Sequence, residues 1–151
     1  MVTKLPKIVH EVGKRKTAVA RVTFKLKERE NSELKIRINS YPLNVWGTET
    51  LRWRIREVFM ISEDYIKDIL PKYEIKVNVK GGGLVSQADA IRQAIAKALL
   101  RIVRNKKLEE LFHSFDPWLL KRDYRMNEPH HSSGKGASSR GSRRHKQRSK
   151  R

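Results

Sequence analysis

The chain has 151 residues, one domain's worth plus a tail, and carries 35 Lys and Arg against 16 Asp and Glu for a formal net charge of +19. A surplus of this size repels itself and is tolerated best beside a polyanion, with nucleic acid the first candidate and a membrane surface the second. There is no cysteine, which excludes disulfides and thiolate metal sites, and neither a spanning apolar run nor the apolar core of a secretory signal is present, so a cytoplasmic location is expected.

In chain order, Ile8, Val9 and Val12 mark a first short strand, and Gly13-Lys14-Arg15-Lys16 separates it from a second, placing positive charge at a sheet end. Over residues 17–26, Ala18, Ala20, Val22, Phe24 and Leu26 alternate with Val19, Arg21, Thr23 and Lys25, the pattern of a half-buried strand. Residues 27–33 read as a polar turn, and Leu34, Ile36 and Ile38 alternate with Lys35, Arg37 and Asn39 as a third strand. Three antiparallel strands joined by short connections is the simple topology. Tyr41-Pro42 breaks the pattern, after which Leu51, Ile55, Val58 and Phe59 recur at helical spacing over 48–61.

A short helix is expected over 62–70, with Ser62 as its cap, Glu63 and Asp64 in its first turn, and Pro71 as its stop. Tyr73, Ile75, Val77 and Val79 alternate as a fourth strand. Gly81-Gly82-Gly83 then leads to a strong helix over 86–103, where Ser86 and Asp89 have the form of a capping box and Ala88, Ile91, Ile95, Ala98, Leu99 and Ile102 keep the helical period. Arg92, Lys97, Arg101 and Arg104 lie off that stripe and are expected to face outward. An amphipathic turn over 107–115 and the apolar patch Trp118-Leu119-Leu120, read as a last strand, complete the body. The order is β-β-β-α-β-α, an α+β two-layer domain over 1–128.

Residues 129–151 contain eight Lys or Arg, no acid and Ala137 as the sole aliphatic side chain. Such a segment cannot bury enough apolar surface to offset its ordering entropy, so it is expected to be disordered alone and ordered against something negative. Fully extended it would reach on the order of 75 Å. A solvated tail or targeting signal is the alternative. Without its eight cations the body keeps 27 Lys and Arg against 16 acids, a net +11, so the body is basic too.

No active site is visible. The G-x-x-x-x-G-K-[ST] and G-x-G-x-x-G patterns are absent, so Gly81-Gly82-Gly83 reads either as a tight strand-to-helix connection or as a contact for a nucleic-acid phosphate. Lys14 stands where the helical zinc motif begun by His10-Glu11 would need a histidine, and His130-His131 have no second shell to orient a metal. Lys14, Arg15, Lys16 and Arg21 at one sheet end, Arg52, Trp53, Arg54 and Arg56 on the first helix, and Lys121, Arg122, Tyr124 and Arg125 before the tail supply cations and stacking surfaces suited to polyanion binding. RNA is favoured over DNA only by the lack of a recognition helix, zinc finger or basic zipper. A phosphate-transferring or RNA-cleaving enzyme and a free nucleic-acid or import module are the competing classes.

Residues 13–21 (GKRKTAVAR), 77–84 (VNVKGGGL) with Gln87-Ala88 and 95–99 (IAKAL), and the terminal Arg148-Ser149-Lys150-Arg151 together resemble the family of protein nine of the small ribosomal subunit. Residues 123–130 (DYRMNEPH) resemble its archaeal and eukaryotic branch. The resemblance implies a non-enzymatic component of the cytoplasmic ribosome, with no cofactor, membrane or homo-oligomer. Its partners would be small-subunit ribosomal RNA in the head, neighbouring head proteins and the P-site transfer RNA. It implies the fold of the second domain of small-subunit protein five, with a left-handed β-α-β crossover. Carried over by position, Lys14, Arg15, Lys16, Arg21, Gly81, Gly82, Gly83, Arg122, Arg125, Arg140, Arg143, Arg144 and Lys146 would meet ribosomal RNA, and Arg148, Lys150 and Arg151 transfer RNA. Lys150 departs from relatives that have an aromatic there; phosphate contact survives that change and stacking does not.

Overall fold

The structure, a computed structural model, describes residues 5–27 and 34–126. Most of the turn expected over 27–33 lies outside the described residues, as does the basic segment 129–151 with Arg140, Arg143, Arg144, Lys146, Arg148, Lys150 and Arg151. The described chain is α+β: a five-stranded sheet with its helices on one face. Strands β1 (Ile8–Arg15), β2 (Ala18–Leu26), β3 (Lys35–Ile38), β4 (Tyr41–Pro42) and β5 (Tyr73–Lys80) run in the order β1-β2-β5-β3-β4. Helices α1 (Glu49–Ile61), α2 (Glu63–Ile66), α3 (Leu84–Val103) and α4 (Lys106–Phe115) complete it, with single 3-10 turns at Leu70–Lys72 and Pro117–Leu119.

Alternation on each strand sends one set of side chains to the helices. Val9, Ala18, Ala20, Val22, Phe24, Ile36, Ile38, Tyr73, Ile75, Val77 and Val79 are all buried in one core with Leu51, Ile55, Val58, Ile91, Ile95, Leu99, Leu108 and Phe112 from the helices. The buried Tyr73 hydroxyl donates to Pro6 O at 2.8 Å, and burial raises its pKa. α3 is pressed onto β1 so closely that a Cβ on Gly13 would overlap the Ala90 carbonyl oxygen and lie 2.7 Å from Ala94 N. Gly13 is therefore a packing residue inside β1, not part of a loop; the β1–β2 turn is only Lys16 and Thr17, with Lys16 at φ 51°.

The simple three-strand antiparallel order does not hold. β2 has β1 on one edge and β5 on the other, both antiparallel, and β3 joins the far edge of β5 in parallel. Alternation fixes which face a strand buries but not its neighbour, and a parallel pair needs a crossover, which α1 supplies through the helical layer. Tyr41-Pro42 continues the sheet: Asn39 and Ser40, at φ 47° and 74°, turn β3 into the short antiparallel β4. Where β3 ends, the Asn39 side chain takes over its ladder, Nδ2 donating to Val79 O and Oδ1 accepting from Val79 N, both at 2.9 Å.

Five further expectations are corrected. α3 begins at Leu84 with Gly83 at its cap and no capping side chain, so Ser86 and Asp89 form no capping box. The helix expected over 62–70 is one turn, followed by a 3-10 turn that contains Pro71, and residues 117–119 form a 3-10 turn where a strand was expected. Arg92 is buried rather than outward, because α1 and the Asp116 turn cover that side of α3; it pairs with Glu57 and Asp116, each at 3.1 Å. Lys97 is half-buried with its pKa lowered by desolvation, a shift that Glu11 opposes.

Candidate nucleic-acid interface

Among the described residues, no helix covers the other face of the sheet. Strand register lines its side chains into four rows: Lys14, Val19 and Lys80; Val12, Arg21 and Asn78; His10, Thr23, Lys76 and Arg37; Ile8, Lys25, Glu74 and Lys35. Lys14, Arg21, Lys25, Lys35, Arg37, Lys76 and Lys80 are exposed cations, and the one acid among them, Glu74, lies 3.6 Å from Lys76 Nζ. With strands about 4.8 Å apart and a rise of about 3.3 Å per residue, the face measures roughly 14 by 20 Å. Its centre is a shallow depression of about 900 Å³ whose rim includes Arg21, Arg37, Lys76, Asn78 and Lys80. His10 Nδ1 and Thr23 Oγ1 meet across it at 2.9 Å. The cations on this plane can pair with a phosphate backbone, its exposed Ile8 and Val12 offer apolar contact at the β1 edge, and its Asn, Thr and His side chains can exchange hydrogen bonds with sugars and base edges.

Of the cations singled out in the sequence, Lys14, Lys16 and Arg21 are exposed on this face or its end. Gly81 and Gly82 lie at the same end, at φ 76° and 65°; a Cβ on Gly81 would stand 2.5 Å from Thr17 O, and one on Gly82 2.9 Å from the Ala18 Cβ. These two glycines lay the β5–α3 turn against the β1–β2 turn, which is the tight-connection reading. Gly83 has open space around it. Lys25, Lys35, Arg37, Lys76 and Lys80 were not singled out, although their signal was present: the outward position of each alternating strand is repeatedly Lys or Arg.

Arg15 and Arg125 are engaged with the protein itself. Asp123 is buried and accepts from Arg125 twice through Nε (3.0 and 3.3 Å), through Nη2 (2.8 Å) and through its backbone N–H (2.9 Å), while Arg15 Nη1 approaches to 2.5 Å. The Arg125 hydrogen bonds, helped by the Arg15 charge and opposed by burial, hold the Asp123 pKa down to about 2. The Arg125 guanidinium lies 5.0 Å over the Trp118 ring, and Arg54 pairs with Asp89 at 3.1 Å. Arg122 is exposed in the same stretch. On α1, Arg52 and Arg56 bind Asn44 at 2.7 and 2.6 Å, and Arg56 lies 5.2 Å over the half-exposed Trp53 ring. Among the described residues no helix is long and apolar enough to cross a membrane, and no cluster of His, Asp and Glu could hold a metal ion.

Comparison with known proteins gives a family. The model of the family described as ribosomal protein S9/S16 matches residues 13–151. The chain is 41% identical over 143 residues to small ribosomal subunit protein uS9 of Methanococcus maripaludis, covering 95% of this chain and 98% of that one. It is 40% identical to the protein of that name from Thermoplasma acidophilum (83% and 90% covered) and 39% identical to that from Pyrobaculum aerophilum (82% and 80% covered). The chain thus belongs to the ribosomal protein S9/S16 family, a family of structural components of the ribosome and not of enzymes.

Proposed function

We propose that the chain binds small-subunit ribosomal RNA in the subunit head through the open face of its sheet, and that residues 129–151 extend from a body of residues 1–128 toward the P-site transfer RNA. The observation that carries this is the face itself: seven exposed cations in four registered rows with one acid among them. A solvated surface has no need to gather one sign of charge on a single plane, whereas neutralising phosphates and releasing their counterions requires it. In this reading Lys14, Lys16, Arg21 and the Gly81–Gly83 turn approach ribosomal RNA from one sheet end, with Arg122, Arg140, Arg143, Arg144 and Lys146 following the chain outward. Arg148, Lys150 and Arg151 meet the anticodon stem-loop as phosphate contacts. Arg15 and Arg125, paired with Asp123, shape the body and present only their remaining N–H groups to RNA. Neighbouring head proteins cover part of the surface, the setting is the cytoplasmic ribosome, and the β3-α1-β5 unit is the crossover shared with the second domain of small-subunit protein five.

The test is sedimentation of a cell extract at low and raised salt, together with transfer-RNA binding by small subunits carrying the chain cut after Glu128. The reading expects the full chain to stay with the small subunit through the salt wash, and the shortened one to incorporate but hold P-site transfer RNA more weakly. A free monomer at the top of the gradient would refute the ribosomal RNA contact; unchanged transfer-RNA affinity after truncation would refute the role of the tail.

A further inference from the structure

A strongly basic chain that buries a carboxylate needs a reason for it. Asp123 is 7% exposed, and every cation it holds comes from one of two places: the end of β1 (Arg15) or the chain two residues further on (Arg125). We propose that Asp123 is a positioning residue, the centre of a clamp that fixes the point and direction at which the C-terminal segment leaves the body. The proposal rests on the reading that this segment works at transfer RNA.

The clamp is built from both sides. On the body, Arg15 reaches Asp123 Oδ2 and the Arg125 carbonyl (3.5 Å), and the backbone at Arg15 and Asp123 forms a parallel bridge, so residue 123 lies beside the end of β1 as one step of a sixth strand. From α3, the buried Gln93 side chain accepts from Lys14 N at 2.9 Å and donates to Trp118 O at 3.1 Å and Lys121 O at 2.6 Å. One amide thus joins β1, the 3-10 turn and the outgoing chain. On the outgoing side, Arg125 grips Asp123 with its guanidinium and lies over Trp118, whose ring meets Tyr124 edge-on at 6.4 Å. Among the described residues the last ones packed in the core are Leu119 and Leu120, so without the clamp the six residues from Lys121 to Met126 would no longer be held to the body.

The lengthening alone matters little, since local concentration of a tail end falls roughly as the −3/2 power of linker length and about 25 residues becoming about 31 costs only about 1.4-fold. Direction matters more. A root held at residue 126 leaves the body beside β1, whereas one released at residue 120 has a wide range of directions open to it. Asp123→Asn would also leave Arg15 and Arg125 facing each other without the shared anion, so the clamp would open by repulsion and not merely lose one contact.

The experiment uses small subunits assembled with the full chain, and the absence of cysteine makes any introduced one a unique attachment point. An iron chelate on Ser149→Cys generates hydroxyl radicals that cut nearby RNA; one on Asp64→Cys, exposed on α2 in the helical layer, reports the body. The proposal expects focused cleavage from position 149 in the otherwise natural chain. With Asp123→Asn added, that pattern should spread and its strongest cuts weaken by more than the roughly 1.4-fold that lengthening alone gives, while cleavage from position 64 stays as it was. Asp123→Glu should restore part of the focus. Should Asp123→Asn fail to incorporate, Arg125→Met opens the clamp from its exposed partner and leaves the Arg15 pair intact. Unchanged cleavage from position 149 in a clamp variant, or equal changes from positions 149 and 64, would overturn the proposal. No cleavage near the P site from the natural background would instead overturn the functional reading on which it rests.

Discussion

Replacing Gly13 by alanine puts a methyl group into the backbone of α3. The added carbon would overlap the Ala90 carbonyl oxygen and stand 2.7 Å from Ala94 N, where unstrained contacts to carbon lie at about 3.5–4.0 Å. Neither neighbour is a side chain that can rotate away, so α3 must lift from β1 by on the order of 1 Å or β1 must bend. Overpacking of this kind costs about 1–3 kcal/mol and occasionally more, and contact with backbone on both atoms places Gly13→Ala at the upper end. Against a total stability of about 5–15 kcal/mol that is a large share. With a urea slope of about 1–3 kcal/mol per molar, the unfolding midpoint should fall by roughly 1 M or more. Adding Ala90→Gly should not restore it, because the clash is with the carbonyl and not with the Ala90 methyl. A Gly13→Ala midpoint equal to that of the natural chain would refute the contact between α3 and β1, and with it the geometry that leaves the opposite face of the sheet free.

Arg92→Met keeps the bulk of a buried side chain but leaves Glu57 and Asp116 without their cation; because both carboxylates keep some access to water, a loss of about 1–3 kcal/mol is expected in the same urea titration, and a neutral result would remove Arg92 from the packing of α3 against α1. Asp123, with a folded pKa of about 2, below its ordinary value near 3.9, binds a proton less readily folded than unfolded, so its contribution is fully present above about pH 4 and is lost as pH falls toward 2. Melting temperatures of the natural chain and Asp123→Asn should converge through that acid window, and parallel profiles would contradict the assignment. Asn39→Ala removes the side chain that pairs both ways with Val79, and a cost of about 1–2 kcal/mol is expected by thermal unfolding, with no loss meaning that the edge of β5 does not need the amide.

Periodicity made β2, β5, α1 and the core of α3 readable, because each carries one apolar face against one polar face. What it could not supply was adjacency. Ile36 and Ile38 say that β3 buries a face, yet nothing local says that β3 lies beside β5 and not beside β2, since that pairing is set by where α1 crosses over. Arg92 sits off the main apolar stripe of α3 and reads as outward, but the helix is enclosed on more than one side and its arginine meets acids from α1 and from the turn after α4. Gly13 looked like a loop glycine because cations follow it; its meaning is a missing side chain under a helix, visible only once the helix is placed. The cationic face was the most readable feature left unread. Lys25, Lys35, Arg37, Lys76 and Lys80 occupy the polar positions of alternating strands, but only strand register shows that they form one plane.

The central claim, that the open sheet face rather than the helical layer meets ribosomal RNA, is tested most directly by the salt dependence of binding to small-subunit ribosomal RNA. Two variants of equal charge are compared with the natural chain: Arg21→Gln, Lys76→Gln and Lys80→Gln together on the face, and Lys67→Gln, Lys106→Gln and Lys107→Gln together on the helical layer, all exposed positions. Each phosphate contact contributes roughly 0.7–0.9 to the log–log slope, so the face variant should lose about 2–3 in slope and the helical-layer variant almost nothing. A face variant with the natural slope, or a helical-layer variant that loses as much, would contradict the account.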